Sequence, residues 1–203
     1  MADDVHALLA HLSVARLHGW VGVSMGASTG IYFAAKYPGT VRRLVACDTV
    51  SGAPSALGAA DSFAPRVRAM RDAGSLDGVL EATTERWFGQ AWMRSHPVEA
   101  ARMMDVLSGT TMDGFETCCA ALRNPEYDLR PRLEVAGRGC EEALVVVGEK
   151  DANLPTTMQE IRAGLEKGIG KSVGLKVIKG AGHVSFVDGF DEFCDTVVPF
   201  LQV

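Results

Sequence analysis

Gly22-Val23-Ser24-Met25-Gly26 sets a serine between two glycines at the spacing G-x-S-x-G. A serine held on a sharp turn between a strand and a helix projects its hydroxyl above the sheet edge, where it can attack a carbonyl carbon. The glycines let that turn close and let the helix pack near the strand. The backbone N–H of Met25 is then placed to bind the oxyanion that attack creates. Five-residue patterns of this kind occur by chance, so the flanks carry the weight. Before Ser24 the short uncharged run Trp20-Val21-Gly22-Val23 reads as a buried strand, and the small-residue stretch after it reads as a helix ended by Pro38-Gly39.

A serine hydroxyl needs a base. Of five histidines, His6, His11 and His18 precede the serine and His96 lies in a helical stretch. His183 follows an expected strand in the glycine-rich loop Gly180-Ala181-Gly182, which gives the chain order serine, acid, histidine. The acid that orients the imidazole should sit past the C-terminal end of a strand. Asp151, just beyond Ala143–Gly148, is the first choice, while Asp48 and Asp188 remain alternatives that could equally be turn or cap residues.

The elements that must position these groups follow a strand–helix pattern. A helix is expected over residues 3–12 from Val5, Leu8, Leu9 and Leu12, with Asp3 and Asp4 at its start. Strand, helix and a second strand at Val41–Cys47 make a βαβ unit, hence parallel strands. Strand pattern returns at 143–148 and 173–178, with a helix around Met158, Ile161 and Leu165 between them. A closing helix carries Phe190, Phe193, Val197, Val198 and Leu201. Between the second and third strands the sequence turns helical and carries Trp87, Phe88, Trp92 and most of the methionines. The expected division is therefore a core over 1–50, a helical cap over 51–130 and the rest of the core over 131–203. The cap aromatics could be plain core or could line a pocket.

Composition excludes several function classes. A net charge of −5 without a run of Lys or Arg gives no footprint for nucleic acid. The five cysteines are odd in number and lack CxxC spacing, which argues against a disulfide framework or a zinc site. GxGxxG after a strand, a P-loop and HExxH are all absent from the sequence, so no metal is expected. No signal peptide or membrane-length apolar run occurs, so the expected setting is the cytoplasm, away from membranes.

The elbow GVSMG, the strand LVACDT, the segments ERWF and GFETCCAALR, the run VVVGEKD and the loop GAGH together resemble the 3-oxoadipate enol-lactonases. The resemblance runs over nearly the whole chain. It implies an α/β class, a partial α/β-hydrolase with a mostly parallel sheet, flanking helices and a helical cap insert. It further implies lactone hydrolysis in aromatic-compound degradation through an acyl-enzyme on Ser24, with His183 as base and Asp151 as orienting acid. No cofactor and no metal are implied, and the partner is a small lactone or ester. Trp87 matches the tryptophan of the family's insert motif, which lies at the substrate pocket. A cap arginine, Arg66, Arg68 or Arg86, could pair with a substrate carboxylate. Other expectations are an esterase or lactonase with a different acyl substrate, or a non-catalytic homologue.

Two positions depart from the family. Ala27 stands where a second glycine is usual after the elbow. At the start, the family carries a sizeable part with the first strands and a His-Gly loop, the source of the second oxyanion donor. His18-Gly19 is no substitute, because it leads straight into the elbow strand. Losing one donor typically costs about 100- to 1000-fold in rate. The expectation is therefore that these 203 residues alone are poorly active, or self-associate or take a partner along the exposed sheet edge.

Overall fold

The computed structural model describes residues 1–202. They form two compact units, Met1–Ser51 with Asp128–Val203, and Gly52–Tyr127. The first unit opens with α1 (Ala2–His11), β1 (Leu17–Val23), α2 (Met25–Lys36) and β2 (Val41–Cys47). The second is helical throughout: α3 (Pro54–Leu57), α4 (Phe63–Ala73), α5 (Asp77–Phe88), α6 (Gln90–Ser95), α7 (Pro97–Ser108) and α8 (Met112–Arg123). The chain then returns to the first unit with α9 (Arg130–Arg138), β3 (Glu142–Gly148), α10 (Leu154–Ile169), β4 (Gly174–Ile178), α11 (Ser185–Asp188) and α12 (Phe190–Gln202).

The four strands make one sheet in the order β1-β2-β3-β4, and every neighbouring pair is parallel. In register, Val23 lies beside Cys47, Cys47 beside Val146, and Gly148 beside Ile178. All four strands therefore end at one edge of the sheet. Side chains alternate between faces along a strand. Val45, Cys47, Leu144, Val146 and Ile178 pack with Phe193 and Val197 of α12 in one cluster. α2 packs against β1 and β2, and α10 against β3, with α9 between the two helices. The largest fully buried side chains include Ile31, Phe33, Met158, Ile161 and Leu165 from α2 and α10.

The run Trp20–Val23 is a strand, but not a buried one. β1 pairs with β2 alone among the described residues, and Val21 is 48% exposed. A run without charges fits a central or an edge strand equally, which is why the expectation of burial fails here. α1 docks on α2 through Asp3, which accepts hydrogen bonds from Lys36 Nζ at 2.6 Å and Tyr37 OH at 2.8 Å. His6 stacks on the same tyrosine at 4.0 Å between ring centroids.

The helical unit has its own core of Met70, Leu76, Val79 and Leu80, with Val67, Met104, Leu107, Met112 and Phe115 packed around it. Phe88 and Trp92 stack at 4.8 Å, and Trp92 stacks on His96 at the same distance. Thr111 caps α8 by accepting a hydrogen bond from Gly114 N.

Candidate active site

Ser24 stands between the end of β1 and the start of α2, at φ 53° and ψ −118°. A residue with a Cβ in this region is strained, and such strain collects at functional turns. Two features hold the turn. Ser24 N donates to Cys47 O of β2 at 2.9 Å, and Ser28 N donates to Ser24 O at 3.1 Å, starting the helix. Gly22 is required by space, since a Cβ there would lie 2.4 Å from the Gly26 carbonyl. Gly26 is not required in that way: nothing lies within 4 Å of a Cβ built on it. Gly30, which the motif does not include, makes room for the Trp20 indole, and Trp20 Nε1 donates to Gly26 O at 3.0 Å. Met25 opens α2, where the first N–H groups have no acceptor within the helix and point out of its N-terminus.

Asp151 and His183 follow β3 and β4 at the sheet edge where Ser24 follows β1. His183 Nδ1 lies 2.7 Å from Asp151 Oδ2, with both side chains largely buried at 12% and 6% exposure. The loops carrying them are tied together by their backbones. Glu149 N donates to Ile178 O at 3.0 Å, Lys150 N to Ala181 O at 2.8 Å, and Gly180 N to the Glu149 carboxylate at 2.9 Å. Gly148 sits where these segments touch, because a Cβ there would fall 2.0 Å from Gly182 O.

The other two aspartates have different partners. Asp188 Oδ2 accepts from Gly182 N at 2.6 Å, next to His183, and burial raises its carboxyl above the usual range. Asp48 is fully buried at φ 45°, beyond β2. Its Oδ1 accepts from Gly148 N and its Oδ2 from Ser185 Oγ, both at 2.7 Å. Burial pushes its carboxyl up to about 8, against the pull of those two hydrogen bonds.

Three of the remaining histidines are engaged elsewhere. His18 Nε2 lies 2.6 Å from Leu201 O, His6 is on Tyr37, and His96 is in the aromatic stack of the helical unit. Trp87 lies in that unit on α5, with the Arg86 guanidinium 5.9 Å over its ring and Phe88 edge-on at 6.5 Å. Arg66 and Arg86 line one groove between α4 and α5 together with Ala69, Val79 and Ala82. All five cysteines are free. Among the described residues no group of three or more His, Cys, Asp or Glu side chains could hold a metal ion, and no helix is long and apolar enough to cross a membrane.

The fold that carries these residues is similar to that of known proteins. The α/β hydrolase fold family model matches residues 1–97. The chain has the α/β-hydrolase fold. It aligns with 3-oxoadipate enol-lactonase 2 of Acinetobacter baylyi at 28% identity over 151 residues, 74% of this chain and 52% of that protein. The chain thus spans about half the length of that relative. Homoserine O-succinyltransferase of Xanthomonas campestris is 34% identical over 114 residues, 56% of this chain and 26% of that protein. In three dimensions the chain superposes on the enol-lactonase from Burkholderia xenovorans LB400 with a TM-score of 0.81 and 28% identity, over 100% of this chain and 72% of that one.

Proposed function

We propose that this chain cleaves a small carboxylic ester or lactone through an acyl-enzyme on Ser24. The observation that carries this reading is the 2.7 Å contact between His183 and Asp151 at the sheet edge that also bears the strained Ser24 turn. Ser24 Oγ attacks the substrate carbonyl carbon while its proton passes to His183 Nε2. Asp151 accepts the Nδ1–H, fixing the tautomer and stabilising the imidazolium. The Met25 N–H donates to the oxyanion. Collapse breaks the acyl–oxygen bond, and His183 returns the proton to the leaving oxygen. Water then adds to the acyl carbon with His183 as base, releasing the acid and restoring Ser24.

The substrate proposed is 3-oxoadipate enol-lactone, on the likeness to two enol-lactonases and the ERWF and Cys118-Cys119 segments. In a lactone the leaving oxygen stays tethered to the acyl group, so one product results. Trp87 is the proposed substrate contact in the helical unit. Two measurements test the scheme. A fluorophosphonate should label the wild-type chain, and Ser24→Ala should abolish the labelling. Loss of enol-lactone absorbance on adding the chain then tests the substrate. Absence of labelling, or labelling that survives Ser24→Ala, would overturn the serine mechanism. Labelling with hydrolysis of simple esters but not of the lactone would replace the substrate alone.

A further inference from the structure

Asp48 is buried, charged in type and unused by the reaction above. A carboxyl group taken fully out of water costs stability unless its oxygens are well occupied. Here both oxygens are occupied, each by a group belonging to a different loop of the site. Gly148 N precedes Asp151 by three residues, and Ser185 Oγ follows His183 by two. Asp48 N itself donates to Val146 O of β3 at 3.1 Å, so the aspartate is anchored in the sheet. Ser185 is completely buried, and Gly148 lies against the Ala181 and Gly182 carbonyls. Neither donor has water to fall back on if the carboxyl is removed.

We infer that Asp48 is a positioning residue, one carboxyl group that clamps the Asp151 loop and the His183 loop to the end of β2 and so fixes the bond between aspartate and imidazole. This rests on the triad reading given above and extends it by a residue that does not touch substrate. Misplacement by about 1 Å at such a site can cost roughly 100-fold in rate. In the neutral form Oδ1 still accepts from Gly148 N, while the acid proton on Oδ2 turns to Ser185 Oγ, so that 2.7 Å bond is kept with its direction reversed. Burial holds the carboxyl protonated at neutral pH, and the nearest charged groups, Asp151 beyond β3 and Asp188 at the end of α11, both oppose its ionisation. Cys47, its neighbour on β2, is likewise buried with its thiol pushed up.

The sign of the pH effect follows from proton counting. Between the ordinary carboxylate value of 3.8 and about 8, the folded chain holds a proton on Asp48 that the unfolded chain releases. Stability from this group is therefore unpenalised below that window and falls as pH rises through it. Ionisation near pH 8 also adds a second negative charge beside the Asp151–His183 pair.

The test uses Asp48→Ala, Asp48→Asn and Ser185→Ala in the 203-residue chain. Fluorophosphonate labelling is timed from pH 5 to 9, and the His183 imidazole is followed by NMR titration. Asparagine keeps an acceptor for Gly148 N and a donor for Ser185 Oγ, so Asp48→Asn should label within about threefold of wild type. It should also lose the step near pH 8 that Asp48 ionisation adds to the pH profile of labelling. Asp48→Ala should label about 100-fold more slowly and Ser185→Ala about 10-fold, with the low-field His183 Nδ1–H signal weakened in both. Wild-type labelling and an unchanged His183 signal in Asp48→Ala would overturn the inference. If Asp48→Ala does not fold, the same outcome in Ser185→Ala overturns it. If the wild-type chain takes no label, the hydrolase reading fails, while the His183 signal still decides the clamp.

Discussion

β1 and β3 look alike as sequence and differ as structure. Each is a short strand whose apolar run ends in a chemistry-bearing turn, Trp20–Val23 before Ser24 and Ala143–Gly148 before Asp151. β3 lies between β2 and β4, and Val145, Val146 and Val147 have no exposure at all. Among the described residues β1 pairs on one side only, and Val21 is half exposed. Their turns differ in the same sense. Ser24 is held by its own backbone geometry, the helix that starts there and a single bond to the neighbouring strand at Cys47 O. Asp151 is held by bonds from β2 and β4, across long stretches of chain. One half of the candidate site is therefore mainly local and strained, and the other is non-local and braced. Substitutions can separate these two modes.

The largest effect is expected where the braced half has no slack. Gly148→Ala would put a methyl group 2.0 Å from Gly182 O and 2.7 Å from Ala181 O, both backbone atoms. The loops of Asp151 and His183 must then part. Overpacking of this kind costs about 3 kcal/mol or more. Chemical denaturation should show that loss, and labelling of Ser24 should fall by at least about 100-fold. A stable, normally labelled Gly148→Ala would mean that the two loops are not braced as described.

Next come paired truncations in the two strands. Val145→Ala removes fully buried methyl groups and should cost about 2 to 3 kcal/mol. Val21→Ala should stay within about 0.5 kcal/mol, because much of that side chain already meets water. Urea midpoints of the two variants check the difference. Equal losses would mean that β1 is covered in solution.

The sequence made part of this arrangement legible. G-x-S-x-G, the strand before it and the order Ser24, Asp151, His183 are local signals, and a period of two or of 3.6 residues can be counted along a chain. Edge position cannot be counted, since it depends on what pairs with β1. The same holds for Arg43, whose guanidinium meets Glu142 at 3.0 Å because the two share a register pair in neighbouring strands. Asp48 was visible as a carboxylate past a strand, but its partners Gly148 and Ser185 lie 100 and 137 residues further on. α9 and the single turn of α11 likewise leave no clear pattern in the sequence. The first has a strongly polar sequence, RPRLEVAGR, and the second is too short to show a period. Gly30 could have been found only by knowing that the Trp20 ring lies over it.

On the strained side, Ser24→Gly should abolish labelling and raise stability. Glycine adopts φ 53°, ψ −118° without a Cβ penalty, and relief of such strain is worth about 1 to 3 kcal/mol. The greater entropy that glycine loses on folding offsets about 0.5 to 1 kcal/mol of this. A net gain of about 1 kcal/mol in denaturation, measured against Ser24→Ala, would show that the turn stores strain for the serine. No gain would mean that the bonds to Cys47 O and Ser28 N hold the turn without cost.

The smallest effect separates the two glycines of the motif. Gly22 has backbone 2.4 Å from where a Cβ would lie, whereas Gly26 has open space there and sits in the first turn of α2 without a positive φ. Alanine at such a position narrows the unfolded ensemble and favours the helix, so Gly26→Ala should stabilise by about 0.5 kcal/mol. Its carbonyl still accepts from Trp20 Nε1, since that bond uses the main chain. If thermal unfolding shows the gain but labelling by a bulky phosphonate slows while a small one is unaffected, the second glycine serves approach of the acyl group and not the fold. If stability falls instead, the backbone at Gly26 is under a constraint that packing around it does not reveal, and the local half of the site is less self-sufficient than the Ser24 geometry implies.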